Sequence, residues 1–187
     1  LQFPGQVRTV PQWQKSRGTL IMSAALELAS NQLTYFFSEA KNSEETIRLI
    51  DLLRERYHRF KRLYLSWDAA PWHRAERLNE HLASIDSRVD KEGGPRLTIL
   101  PLPTSSQFLN VIESVYSGMA RAVLHNSDYA NAEDARAAIV RYFEDRNRAF
   151  QENPRRAGKK IWGQELVPPA FDDAKNCKDP RWMGWQS

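Results

Sequence analysis

The chain has 187 residues, 27% of them charged and 41% hydrophobic, a balance that fits one globular domain with enough interior for a core. A net charge of +4 and a pI near 9.3 lean toward an acidic partner such as nucleic acid. A single cysteine, Cys177, excludes an internal disulfide framework and suits a reducing compartment, and no apolar run reaches the roughly 18–20 residues that span a bilayer.

Residues 1–18 are turn-rich and basic, and no signal peptide is visible at Leu1. "TLIMSAALEL" and "QLTYFF" then read as two strands joined by a short "ASN" turn, an antiparallel hairpin. "SEETIRLIDLLRERYHRF" predicts a helix, with Ser43 as N-cap, acids in its first turn, and Ile47, Ile50, Leu53 and Tyr57 near one face. "RLYLSW" is the next strand, with Leu63, Leu65 and Trp67 on one side. Pro71 suits the first turn of a helix running to about Ser87, followed by the loop "VDKEGGP" at 89–95. "RLTIL" is a short strand ended by "PLP", and "TSSQFLN" is a polar loop. Two helices come next: "NVIESVYSGMARAVLHN", with a stripe through Ile112, Val115 or Tyr116, Met119 and Val123, and "NAEDARAAIVRYFEDRNRAFQEN", capped by Asn131. From Pro154 onward the chain is basic, then Pro-rich and irregular. The order β-β-α-β-α-β-α-α-tail is an α/β pattern with a hairpin at its front.

Two carboxylates stand where chemistry would need them. Metal-assisted phosphoryl transfer gathers acids from separate elements around divalent ions, and Mg²⁺ favours carboxylate oxygens. Asp68 ends a central-looking strand, where an open α/β sheet places such a ligand. Glu113 lies in the first turn of the helix after the next strand. Each has a plainer reading: Asp68 as the organiser of the turn before Pro71, and Glu113 as half of a reciprocal capping pair with Asn110. His73 alone reads as a surface or hydrogen-bonding histidine. No Cys/His group has zinc spacing, and no Gly-rich phosphate loop or nucleophile elbow occurs.

"DAAPWHRA" at 68–75 resembles the "D-N-A-x-x-H-[RK]-[SA]" segment of bacterial insertion-sequence transposases of the mariner-like superfamily. "LPTSSQFLNVIE" at 102–113 resembles their "L-P-P-Y-S-P-x-L-N-P-I-E" segment. The likeness runs from about residue 13 to 163. It implies a ribonuclease-H-like catalytic domain, a mixed sheet flanked by helices, over 1–163, with 164–187 as an irregular tail. It makes Asp68 and Glu113 the second and third acids of the DDE triad, ligands of Mg²⁺ or Mn²⁺. It sets His73, Arg74 and Asn110 beside DNA. The implied activity is cleavage of transposon ends and transfer to target DNA by two-metal phosphoryl transfer. The implied location is the bacterial cytoplasm at the nucleoid, and a homodimer is left open.

There are departures. Ala69 replaces the usual Asn, Ser106-Gln107-Phe108 replaces Ser-Pro-acid, and Val111 replaces the last Pro. The separation of the two acids, 113 − 68 = 45 positions, exceeds the family's usual spacing. The largest departure is an absent first acid: no Asp precedes Asp51, and Asp51 is predicted mid-helix. The family's first strand, central in its sheet, is therefore expected to be missing, and the chain alone is expected not to cleave DNA. The alternative is a non-catalytic transposase remnant that binds DNA or dimerises.

The end of the last helix and the segment after it, "RNRAFQENPRRAGKKIWG", are basic and aromatic. Arg146 and Arg148 read as solvated cations at the negative end of a helix dipole. Arg155, Arg156, Lys159 and Lys160, with Trp162, read as a DNA contact: cations for phosphates and a ring for unpaired bases.

Overall fold

Alternating side chains build the hairpin. β1 (Ile21–Leu26) and β2 (Leu33–Ser38) pair antiparallel, with Leu26 opposite Leu33 and Ile21 opposite Ser38. The connection closes with Glu27 N donating to Gln32 O and Asn31 N to Glu27 O. Asn31 takes φ +60°, a left-handed conformation that Asn adopts more readily than most residues. The computed structural model describes residues 18–68, 70–102, 110–125 and 127–158.

Helix α1 (Ser43–Arg56) is capped by Asn42, one residue ahead of the expected Ser43: Asn42 Oδ1 accepts from Glu45 N at 3.0 Å. Glu44 and Glu45 sit at its positive end, and Arg54 and Arg56 in its last turn. β3 (Arg62–Trp67) and β4 (Arg96–Pro101) pair in parallel, Arg62 with Arg96 and Trp67 with Pro101. Parallel strands need a crossover. Here it is a 3₁₀ turn, Pro71–Arg74, and then α2 (Glu76–Glu92). α2 therefore begins later and ends later than the sequence suggests. Val89 extends its apolar stripe, and Gly93, at φ +75°, stops it by donating its N–H to Val89 O at 2.9 Å.

α3 (Val111–Met119) runs without a break into a π-helical turn, Ala120–Leu124, closed by His125 N donating to Ala120 O at 2.8 Å. α4 (Ala132–Glu152) has the expected cap, Asn131 Oδ1 accepting from Asp134 N at 2.9 Å.

Two cores result. Leu33, Val115, Met119, Ile139 and Phe143 join one face of the hairpin to α3 and α4, with Met22, Ala24, Tyr35 and Phe37 around them. Ile50, Leu78 and Ile85 join α1 and α2 to the inner face of β3 and β4 through Leu65, Trp67 and Leu97. α1 also touches the hairpin, where the Arg48 guanidinium lies 4.2 Å from the centre of the Phe36 ring. Among the described residues the strands make two separate ladders, β1–β2 and β3–β4. The α/β class and the order of the described elements are those expected.

α4 is tied to the hairpin by long-range polar bonds. Asn147 Oδ1 accepts from Leu33 N and its Nδ2 donates to Leu33 O, both at 2.8 Å. Arg146 is not the solvated cation the sequence suggested. It donates to the carbonyl and side-chain oxygens of Asn31, and burial lowers its pKa. Arg148 does face solvent, paired with Asp145 at 2.9 Å. The described elements belong to a compact unit ending at Ala157.

Candidate active site

The parallel pair defines one end of the site. Trp67 and Pro101 are in register, and Leu102 N donates to Trp67 O at 2.9 Å, so the chain leaves both strands side by side. Asp68 is the first residue past β3, and Glu113 comes after β4 in the first turn of α3. Asp68 therefore leaves the end of the β3–β4 pair where β4 also ends, and Glu113 follows on α3, which packs against β1 and α4.

Asp68 is held from the core outward. The Trp67 ring packs against the Ile50–Leu78–Ile85 cluster and stacks on His73, centroids 5.0 Å apart. His73 is fixed again by its own N–H donating to Ala70 O within the 3₁₀ turn. Its Nδ1 lies 3.1 Å from both the carbonyl oxygen and Oδ1 of Asp68, so a proton on Nδ1 is shared with Asp68. Oδ1 also accepts from Ala70 N at 3.2 Å, which is the turn-organising role of the plainer reading. Oδ2 has no protein partner among the described residues, and the Asp68 side chain is 59% exposed.

Glu113 has a matching arrangement. Asn110 occupies the N-cap position of α3, yet its side chain accepts no backbone N–H. The capping pair expected from spacing is therefore not the one formed. Instead Asn110 Nδ2 donates to Glu113 Oε1 at 2.8 Å, leaving Oε2 without a protein partner among the described residues. Each carboxylate thus spends one oxygen on a neighbour that orients it and presents the other. Neither is paired with Lys or Arg among the described residues. Orienting partners of this kind are what metal-binding side chains require.

As donors, two exposed carboxylates fit a hard divalent ion. They are not a complete site: among the described residues no group of three His, Cys, Asp or Glu side chains could hold a metal. Arg74 closes the 3₁₀ turn ahead of α2. Arg155 and Arg156 are exposed beyond α4. Lys159, Lys160 and Trp162 lie outside the described residues. Sequence reasoning missed Trp67 as the plate that positions His73; the strand alternation that turned Trp67 inward was the available signal.

Comparison with known proteins decides the family. A model of the DDE superfamily endonuclease family matches residues 1–136 of the 187, a span that holds both Asp68 and Glu113. The chain belongs to the DDE superfamily endonucleases. Enzymes of this superfamily generally use divalent metals. No curated protein matches the chain. Among solved structures, it is similar to a chain of the cryoEM structure of the simian T-cell lymphotropic virus intasome in complex with PP2A regulatory subunit B56 gamma. That likeness has 13% identity and a TM-score of 0.43, and covers 63% of this chain and 40% of the other. The chain thus spans two fifths of that neighbour's length. No helix among the described residues is long and apolar enough to cross a membrane.

Proposed function

We propose that this DDE endonuclease chain is a catalytic domain of an insertion-sequence transposase of the mariner-like type, acting on DNA strands by phosphoryl transfer. The reading is supported by the family match over residues 1–136 and by two oriented carboxylates, Asp68 just past β3 and Glu113 in the first turn of α3, each with one oxygen unpartnered among the described residues. Mg²⁺ or Mn²⁺ bound there would stabilise charge on the scissile phosphate and activate the attacking oxygen. His73 and Asn110 act as positioning residues for the two acids. Arg74, Arg155, Arg156, Lys159, Lys160 and Trp162 hold the flanking DNA, and two copies of the chain pair on the transposon ends. Residues 1–163 form this domain and 164–187 its tail.

Asp68 and Glu113 answer to two of the family's three acids, and among the described residues no group of three His, Cys, Asp or Glu side chains could hold a metal. The 187-residue chain is therefore expected to bind DNA but not to cut it alone. The second reading, a remnant that only binds DNA or dimerises, draws on that same shortfall. A plasmid assay tests the first. Purified chain with Mg²⁺ or Mn²⁺ is expected to retard supercoiled plasmid in a gel without nicking it. Vigorous nicking abolished by Asp68→Ala would overturn the claim of inactivity, and no retardation even at low salt would overturn the DNA reading.

A further inference from the structure

We propose that the outward face of β3 is a track for unpaired nucleic acid that leads to Asp68, an inference that rests on the DNA reading above. Residues 57–67, "YHRFKRLYLSW", contain no acid at all, and Asp68 is the first carboxylate after them. Alternation in β3 sends Leu63, Leu65 and Trp67 inward and leaves Arg62, Tyr64 and Ser66 on the outer face. Tyr64 is 65% exposed and Phe60, just before the strand, 59% exposed. Leu100, beside Ser66 in the register, is exposed on the same face. Tyr64 and Leu100 left in water on one sheet face, with Phe60 in the turn just ahead of it, mark a contact surface more often than isolated exposed apolar groups do.

The charge says what kind of contact. Arg59, Lys61 and Arg62 are exposed and form no ion pair among the described residues. Elsewhere Arg48, Arg77, Arg136 and Arg148 each lie against a carboxylate. Unneutralised cations interleaved with exposed rings match a chain of phosphates carrying free base faces. A duplex keeps its base faces stacked inside, so it satisfies the cations and not the rings. Tyr64 stands four residues before Asp68 along an extended strand, roughly 13 Å away. A strand stacked on Tyr64 and held at Arg62 is thereby directed toward the carboxylate.

The test is fluorescence anisotropy of the full chain with a labelled oligothymidylate and with a hairpin duplex. The Phe60→Ala/Tyr64→Ala pair is expected to lose at least about fivefold in affinity for the oligothymidylate per stacked base, with duplex binding little changed. Tyr64→Phe keeps the ring and is expected to keep the affinity. Replacing Lys61 and Arg62 by Ala should reduce the slope of log affinity against log salt by about 0.7 for each phosphate no longer neutralised. Both rings are largely exposed, so matching thermal unfolding checks that the variants fold, and Tyr64→Ala alone serves if the pair does not. Wild-type chain that binds the oligothymidylate while the ring variants bind it equally overturns the track and leaves the DNA reading standing. Wild-type chain that binds neither DNA overturns both. A changed oligomeric state with unchanged DNA affinity assigns the face to a protein partner and also overturns the track.

Discussion

Replacing Asn147 with Ala should be among the most damaging single changes on α4, although Asn147 is neither apolar nor near the carboxylates. Its side-chain amide stands in for a neighbouring strand, bonding both the N–H and the C=O of Leu33 at 2.8 Å. Leu33 is 1% exposed and belongs to the core that joins the hairpin to α3 and α4. With the amide gone, a buried backbone donor and a buried acceptor both lose their partner. Each costs about 1–3 kcal/mol when left unsatisfied, and partial access for water puts the sum at about 3 kcal/mol. For a chain of this size that is about 6–12 °C in Tm. Urea and thermal unfolding, monitored by circular dichroism, measure it. Asn147→Asp should also destabilise, because a carboxylate can accept from Leu33 N but cannot donate to Leu33 O. A loss below about 1 kcal/mol for Asn147→Ala would refute the reasoning that these two bonds secure the edge of β2.

The α1 cap gives a sharper comparison: Asn42→Ala should cost about 1 kcal/mol, while Ser43→Ala, one residue inside the helix, should change stability by a few tenths. The reverse ranking in urea midpoints would restore Ser43 as the cap. Alkaline titration reads two partly buried phenols. Burial pushes Tyr116 up to about 12, and burial together with the Glu27 carboxylate, which accepts its hydroxyl at 2.9 Å, pushes Tyr57 to about 12. Their folded values lie above the ordinary 10.0, so the stability they contribute is whole below pH 10 and is lost as pH rises through about 12. The unfolding midpoint should fall across that window, and less steeply in Tyr57→Phe; a midpoint flat from pH 10 to 12 would contradict it.

Local patterns made most of the elements readable. Strand alternation in "RLYLSW" and the caps around "NAED" carry their structure within a few residues, so β3 and the start of α4 are where the sequence places them. Boundaries decided by competing local signals were less readable. Asn42 and Ser43 are both good caps, and only the geometry shows that Asn42 reaches Glu45 N. The Pro71 start became a 3₁₀ turn before α2, and Val89 carried α2 past the expected loop. The bonds from Arg146 to Asn31 and from Asn147 to Leu33 cross more than a hundred positions and leave no local trace. Asp68 just past β3 and Glu113 in the first turn of α3 stand where the sequence placed them. Their holders were less so: Asn110 pairs with the Glu113 carboxylate instead of capping, and His73 lies against Asp68 with its ring stacked on Trp67.

The central claim is that Asp68 and Glu113 serve one metal site. Crystals of the full chain soaked in Mn²⁺ and measured for anomalous scattering test it most directly. A manganese peak is expected held by the carboxylates of both Asp68 and Glu113, and no peak in Asp68→Ala. Manganese bound to one carboxylate without the other, or bound elsewhere with both acids turned to their protein partners, would contradict it.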